Sequence, residues 1–177
     1  MNYRVPRMTA EESAAWTGLM RVVELLPAAL DAQLQRDAQM THFEFIVLSN
    51  LQLVAESHVQ MRELAHATNS TLPRLSRVCA RLDERGLVER TPSPTDGRAT
   101  LVTLTKAGRA ALIRAMPGHV ATARALVIDA LTPPQLEALG EAAAVVGQRL
   151  DPDQRFRWAN NAGATALVDD AGGSGSA

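Results

Sequence analysis

The residues from 69 to 105 change their periodicity once, at Gly86, and this change restricts the folds open to the chain. Before Gly86, apolar residues recur at spacings of three and four, as they do on one face of an α-helix. After it, residues 87–91 and 99–105 are rich in Val, Leu and Thr, and the turn formers of residues 92–97 separate them. The stretch therefore predicts a helix followed by a β-hairpin.

Two stripes run along this predicted helix. The stripe expected to be buried comprises Leu72, Leu75, Val78, Cys79 and Leu82. The other stripe comprises Arg74, Arg77, Arg81 and Arg85. Because each residue of a helix is rotated by about 100° from the one before it, this stripe lies roughly a third of a turn from the first. Such a helix could enter a DNA major groove. Alternatively, its arginines could form a solvated face that pairs with Asp83 and Glu84.

Capping signals mark both ends of the same helix. Asn69, Ser70 and Thr71 are candidate N-caps, because a short side-chain oxygen can accept from the free amides of the first turn. Pro73 lies within that turn, where its missing amide costs little. Gly86 suits a left-handed C-cap. We therefore expect the helix to begin near residue 71 and to end near residue 85.

Composition narrows the class of protein only in part. A chain of 177 residues can bury one sizeable core, and the scarcity of aromatic residues (3%) favours helix-on-helix packing. The net charge of -1 offers no global argument for nucleic acid. Residues 62–98 hold seven Arg and five acidic residues, a mild local excess of positive charge. The single cysteine excludes an intrachain disulfide. No segment has the ~20 apolar residues of a membrane helix, so we expect a cytoplasmic protein and no membrane partner.

The remaining periodicities predict mainly helices. We expect a flexible arm over residues 1–10, a long helix over 11–36 with a possible kink at Pro27, and a buried helix that a Thr41–Glu44 capping box opens. A very short strand at residues 59–61 and a short helix at 62–68 should precede the arginine-striped helix. Beyond the hairpin we expect a helix over 106–130, bent or interrupted at Pro117 and Gly118, a helix to residue 150, and a disordered tail over 151–177.

Two short helices joined by a polar turn form a helix-turn-helix, and the hairpin that follows is a wing. We therefore predict a mainly α fold, a winged helix-turn-helix flanked by N- and C-terminal helices. In the last of these helices, a stripe is predicted to point inward and comprises Leu136, Leu139, Ala143 and Val146.

Three groups of residues are informative beyond their periodicity: Asp96-Gly97-Arg98, Val102-Thr103-Leu104-Thr105 with Gly108, and Thr132-Pro133 with Leu136. With the order of the predicted elements, they give the chain a resemblance to the MarR family of transcriptional regulators. The resemblance covers residues 11–150 and implies a homodimer that binds a pseudo-palindromic operator in double-stranded DNA. It also implies that residues 11–36 and 106–150 are dimerisation helices and that residues 41–105 are the winged helix-turn-helix.

The resemblance places Arg98 in the minor groove, where the narrow groove concentrates negative potential, and makes Asp96 its positioning partner. Asp96 could instead stabilise the turn through its own side chain. Five residues near the start of the recognition helix are expected to face DNA: Ser70, Thr71, Pro73, Arg74 and Arg77. Either Arg74 or Arg77 should read a base edge. Arg81 and Arg85 should meet the DNA backbone or pair with Asp83 and Glu84.

The family resemblance also implies a repressor that a small aromatic or phenolic ligand releases. Trp16, His42 and His119 are candidate ligand contacts, although each is more often ordinary packing or surface. Two other regulatory interpretations stay open: a redox sensor based on Cys79, whose buried position argues against reactivity, and a helical dimer that binds protein rather than DNA. The four His are scattered and no nucleophile motif is present. We therefore expect no enzyme, no catalytic or metal site and no cofactor.

Overall fold

The computed structural model describes residues 7–53, 58–97 and 99–156, and within them the chain forms a mainly helical fold with one small sheet. The helices are α1 (Ala10–Ala38), α2 (His42–Leu53), α3 (Met61–Ala67), α4 (Leu72–Glu84), α5 (Lys106–Ala123) and α6 (Pro133–Leu150). The strands are β1 (Val59–Gln60), β2 (Val88–Pro92) and β3 (Thr100–Leu104). A π-helical segment, Arg124–Ile128, follows α5. The predicted winged helix-turn-helix is confirmed.

Capping side chains define where α1 and α2 begin. Thr9 and Glu12 form a reciprocal capping box, so α1 begins at Ala10 and then continues as one helix through Pro27. The predicted box at the start of α2 is also present. The Thr41 amide donates to Glu44 Oε2 (2.8 Å), and the Glu44 amide donates to Thr41 Oγ1 (3.1 Å).

The hydrophobic core lies where α2, α3, α4 and the sheet meet the first half of α5. Its largest fully buried side chains include Phe45, Leu48, Leu64, Leu75, Leu82, Val102 and Leu112. Four members of the predicted buried stripe of α4 are indeed in this core. The fifth, Leu72, is 45% exposed, and that prediction was wrong. Leu72 is the first residue of α4 and lies beyond the turns that pack on the core.

The sheet is antiparallel, with the order β1-β3-β2. Strand β3 is central: Val102 faces Val59 on one side and Arg90 on the other. The β2–β3 pair is the wing, and its register runs from Val88 opposite Leu104 to Pro92 opposite Thr100. The wing therefore starts directly after α4 and leads directly into α5.

Thr105 joins the end of α4 to the start of α5. Its hydroxyl donates to the Gly86 carbonyl (2.7 Å) and accepts from the Gly108 amide (3.0 Å), while its own amide donates to the Leu87 carbonyl (3.2 Å). Gly86 has the left-handed φ of +67° that its predicted capping role requires. Gly108 packs so closely that a Cβ there would lie 1.9 Å from the Leu87 carbonyl oxygen.

Helix α5 runs without interruption through Pro117 and Gly118, so of the two predicted alternatives the interruption was wrong. The reason is tertiary packing: a Cβ on Gly118 would lie 2.9 Å from Gln33 Nε2, which shows how closely α5 approaches α1 at this point. The irregularity comes later, where the Asp129 amide donates to the Arg124 carbonyl (2.8 Å) in a π-helical turn.

Large apolar side chains of α1 and α6 are exposed in the single chain. On α1 they include Trp16, Leu19, Val22, Val23 and Leu25, and on α6 Leu136, Leu139, Val145, Val146 and Leu150. The prediction that the α6 stripe points inward was wrong for one chain, because α6 contains no buried residue. Within the described ranges, no helix combines the length and apolar character needed to cross a membrane.

The chain continues beyond α6 with a short hydrogen-bonded turn. The Asp151 carboxylate accepts from the amides of Arg155 (3.0 Å) and Phe156 (2.7 Å). These residues open the segment that was predicted to be disordered. The rest of that segment, residues 157–177, lies outside the described residues, as do residues 1–6 of the predicted N-terminal arm.

Candidate nucleic-acid interface

The arginines of α4 do not share one environment. At about 100° per residue, Arg74, Arg81 and Arg85 lie close to one line along the helix, roughly 90° from the middle of its buried stripe. Arg77 lies about 60° further round, nearly opposite that stripe, and Pro73 shares its side of the helix. All five of these side chains are exposed. Arg77 is thus the arginine that points most directly away from the protein.

Glu44 of α2 pairs with two of the other arginines. Its buried carboxylate, 4% exposed as a residue, lies 3.6 Å from Arg81 Nε and 3.5 Å from Arg85 Nη1. Arg85 Nη2 also donates to the carbonyl of Gln39, the C-cap of α1 (3.0 Å). The C-terminal half of α4 is therefore attached to both α1 and α2.

These contacts correct the expected pairing of Arg81 and Arg85 with Asp83 and Glu84. The salt-bridge partner of both arginines is Glu44. Three of the four expected pairs join residues one or two apart along the helix, which do not face each other. The fourth pair, Arg81 and Glu84, has a favourable spacing of three, but Arg81 forms its salt bridge with Glu44 instead. Both arginines instead project towards the first turn of α2.

Arg74 has a different neighbour, the half-buried Phe43. Its guanidinium carbon lies 4.2 Å from the centre of the Phe43 ring, which is cation–π geometry. Arg77, in comparison, makes a local contact, from its Nε to the Pro73 carbonyl (3.3 Å). The predicted pair of base-reading candidates is thus divided: Arg74 lies against α2, and Arg77 projects outward.

Of the three candidate N-caps of α4, Thr71 occupies the N-cap position. Thr71 is the N-cap by backbone conformation and is exposed, but its side chain makes no capping hydrogen bond. The half-buried Ser70 donates from Oγ to the Thr71 carbonyl (3.3 Å). Pro73 is in the first turn. The Thr71 hydroxyl is therefore not committed to capping, which is compatible with a contact to a ligand.

The wing tip is organised around Ser93. Its buried hydroxyl accepts from the amides of Thr95 and Asp96 (3.4 Å each), and the Ala99 amide donates to the Asp96 carbonyl (2.9 Å). From the sequence, one alternative role for Asp96 was to stabilise this turn through its side chain. In the structure, the Ser93 side chain makes contacts of this kind. The Asp96 residue is exposed. Arg98, the predicted minor-groove residue, lies outside the described residues.

Two residues that contact the arginines of α4, Phe43 and Glu44, were not identified in this role from the sequence. The sequence identified Glu44 only as a helix cap. The same carboxylate also forms salt bridges with Arg81 and Arg85, and the capping pattern gives no sign of this second role. Phe43 carries no local signal, since its partner Arg74 is 31 positions away in the chain. The arginine stripe is the sequence feature that indicates contacts of this kind, but it does not show which residues the arginines contact.

Comparison with known proteins identifies the family. A family model described as the MarR family matches residues 38–99. The solved structure of Sco3205 from Streptomyces coelicolor, a MarR family transcriptional regulator in complex with DNA, is 39% identical, with a TM-score of 0.76 over 84% of this chain and 93% of that one. This chain belongs to the MarR family.

Two further solved structures are similar to this chain. AbsC, a MarR family transcriptional regulator of Streptomyces coelicolor, is 31% identical, with a TM-score of 0.72 over 82% of this chain and 98% of that one. MarR from E. coli is 24% identical, with a TM-score of 0.62 over 80% of this chain and 98% of that one, and it supports the fold alone.

A second group of predicted residues meets at the junction of three helices of this MarR family protein. The rings of His42 on α2 and His119 on α5 are stacked with their centres 6.0 Å apart, and the His119 ring lies 4.3 Å from that of Phe45. The His42 amide donates to Asp31 Oδ1 on α1 (2.8 Å). Trp16 is elsewhere: it is 51% exposed, and it precedes Asp31 by about 22 Å along the axis of α1.

The histidine junction is polar but buried. His119 is 7% exposed, and burial, reinforced by the neighbouring His42, lowers its pKa from 6.5 to about 4. Burial also lowers the pKa of His42, although Asp31 opposes that shift. Within the described part of the chain, neither His119 Nδ1 nor Gln33 Oε1 has a hydrogen-bond partner. The three helices therefore enclose polar atoms that could bind a polar group of a ligand.

The lowered pKa of His119 predicts a loss of stability in acid. Above about pH 6.5 both the folded and the unfolded chain carry the neutral ring. As the pH falls towards about 4, only the unfolded chain gains the proton, and the loss reaches about 3 kcal/mol. His119→Gln should remove this contribution, so its free energy of unfolding should fall less between pH 7 and pH 4 than that of the wild type. Denaturant titrations measure the free energy of unfolding of both proteins. An equal fall of this free energy in both between pH 7 and pH 4 would contradict the lowered pKa of His119.

Cys79 lies within the core, fully buried on α4. Burial raises the pKa of its thiol to about 11. Because the thiolate is the reactive form, this environment disfavours oxidation. The structure therefore gives no support to the redox alternative.

Proposed function

We propose that this MarR family regulator is a homodimer that binds a pseudo-palindromic DNA operator and acts as a repressor, released by a small aromatic or phenolic ligand. The observation that carries the DNA-binding part is the placement of α4: its buried face packs on the core, and Arg77 points away from the core. We place this action in the cytoplasm, and we propose no enzymatic role.

The chemistry of the interface favours DNA over a protein partner. The outward surface offers guanidinium groups and hydroxyls, which suit phosphates and base edges. Sco3205, the 39% identical relative, is itself solved in complex with DNA. We assign base reading to the N-terminal half of α4, with Ser70, Thr71 and Pro73 beside Arg77. We assign the minor groove to Arg98, with Asp96 as its positioning residue.

Dimerisation is supported by the apolar surfaces of α1 and α6. On α6, the residues 136, 139, 143, 146 and 150 fall within a sector of about 80° when the helix is viewed along its axis. Trp16, Leu19 and Val23 form a similar stripe on α1. Exposed stripes of this size mark interaction sites. A second copy of the same chain would cover both and would place two recognition helices on one DNA face.

The ligand proposal rests on the junction around His42 and His119. Stacked rings there offer aromatic contacts, Gln33 Oε1 can accept a hydrogen bond from a phenol, and His119 Nδ1 can accept from or donate to a ligand according to its tautomer. Because the junction joins α1 and α5 to α2, a ligand bound there would act on the dimer helices and the DNA-binding region together. Trp16 is not part of this site within one chain.

Selection of bound genomic fragments tests the whole proposal. The purified protein should retain a small set of fragments that share an inverted repeat, with half-sites separated by about one helical turn. Addition of phenolic compounds to the best complex should then release the protein. Failure to retain any fragment, at low as well as at moderate salt, would refute DNA binding and would favour a protein partner. Retention without an inverted repeat would refute binding as a symmetric dimer.

Arg77→Ala should weaken operator binding by about 1–3 kcal/mol and relax the base preference at one position of each half-site. The reason is that Arg77 is the α4 arginine that projects furthest from the core. Binding can be measured by fluorescence anisotropy on a panel of operator variants. Arg21→Ala is a matched control, since it also removes one exposed arginine. Arg21 lies about 27 Å along α1 from Gln39, the C-cap residue of α1 that contacts α4 through Arg85. An equal loss on every operator variant would assign Arg77 to a phosphate instead.

A further inference from the structure

The first turn of α2 contacts three of the four arginines of α4, and it does so in two chemically different ways. Glu44 places a negative charge beside Arg81 and Arg85. Phe43 places an aromatic ring beneath Arg74, at 4.2 Å. A carboxylate partly neutralises its arginines, whereas a ring leaves the positive charge in place. Arg74 is therefore held against α2 without losing the charge that attracts DNA.

The geometry of the contact keeps Arg74 able to donate. In a guanidinium the N–H bonds lie in the plane of the group, and a ring partner occupies one face of that plane. The N–H edges therefore stay available for a phosphate oxygen. Because Arg74 lies about 60° from Arg77 around α4, its side chain projects to the side of the helix, towards the rim of a groove that α4 would occupy.

We propose that Phe43 is a positioning residue for DNA binding: its ring holds the Arg74 guanidinium at the side of α4, where it contacts the phosphate backbone. Base reading by an arginine of α4 then falls to Arg77. This inference rests on the proposed DNA-binding function. It gives Arg74 and Arg77, which the sequence could not distinguish, two different roles. The gain comes from pre-organisation, because a side chain already fixed on a ring loses less rotamer freedom when it binds.

The test compares Phe43→Leu with Phe43→Tyr on the selected operator. Leucine keeps an apolar side chain but removes the aromatic face, and binding should weaken about three- to tenfold. Tyrosine keeps the face, and binding should stay near that of the wild type. The loss with leucine should be equal on all operator variants, because phosphate contacts carry no sequence information. Thermal unfolding of both variants at equal protein concentration separates this effect from a loss of folding.

A double-mutant cycle with Arg74→Ala decides whether Phe43 acts through Arg74. Arg74→Ala should also lower the salt dependence of binding by about one phosphate contact. In that background Phe43→Leu should cause no further loss. The proposal would be overturned by an equal loss in both backgrounds, by unchanged binding of Phe43→Leu in the wild-type background, or by tighter binding, which would mean that the ring withholds Arg74 from DNA. If the wild type retains no DNA at all, the proposed function fails first, and the assignment to Phe43 fails with it.

Discussion

Gly108→Ala is expected to destabilise the fold by about 3 kcal/mol or more, at the upper end for overpacking. The added Cβ would lie 1.9 Å from the Leu87 carbonyl oxygen and 2.8 Å from Leu104 Cδ1. A backbone carbonyl cannot rotate aside as a side chain can. The contact would therefore force α5 away from the base of the wing and would strain the hydrogen bonds of Thr105. Chemical denaturation followed by circular dichroism measures the effect.

The matched control for this prediction is Gly18→Ala in α1, where an added methyl group would have no atom within 4 Å among the described residues. Alanine is the better helix former, so Gly18→Ala should raise stability by about 0.5–1 kcal/mol. The two variants carry the same chemical change and should move stability in opposite directions. If Gly108→Ala were as stable as the wild type, the close packing of α5 on residue 87 would be wrong.

Leu139→Asp is expected to dissociate the proposed homodimer. Leu139 lies within the exposed apolar stripe of α6 and is 46% exposed in the single chain. A carboxylate buried there without a partner should cost about 3 kcal/mol or more, which raises the dimer dissociation constant more than a hundredfold. Analytical ultracentrifugation at micromolar concentrations measures the change. Operator affinity should fall with it, because one subunit reaches only one half-site.

Glu141→Ala provides the control for the dimer prediction. Glu141 lies on the side of α6 opposite the apolar stripe and is exposed. Its replacement should leave the dimer intact. A wild-type protein that sediments as a monomer at these concentrations would refute the proposed dimer, and a dimeric Leu139→Asp would remove α6 from the interface.

Much of the fold follows from local sequence signals. The wing and its flanking helices were predictable because Gly86 and Thr105 act on neighbouring residues: one permits a left-handed turn, and the other caps the next helix. The Thr41–Glu44 box is local in the same sense. Pro117 misled the prediction for the opposite reason, since packing against Gln33 of α1, a residue far away in sequence, keeps α5 helical there.

The candidate site was predictable in outline but not in detail. The arginine spacing placed four guanidinium groups on one side of α4, yet their separate environments depend on Phe43 and Glu44, which are at least 31 positions away. The pairing of His42 with His119 spans 77 positions and has no local signature. Residues that act through distant partners cannot be separated by periodicity alone, and for this reason Arg74 and Arg77 remained equivalent in the sequence.

The hydrogen bonds and salt bridges that attach α4 to other helices are concentrated at its C-terminal end. Its C-terminus is tied to α1 through Arg85, to α2 through Glu44 and to α5 through Thr105. Its N-terminus, which bears the proposed reading residues, is about 20 Å away along the axis. A tilt of about 10° at the C-terminal end would displace the N-terminus by about 3 Å, roughly the length of one hydrogen bond. Arg77 lies about 12 Å from Arg85 along the axis, so the same tilt would displace it by about 2 Å, enough to lengthen a hydrogen bond beyond its normal range.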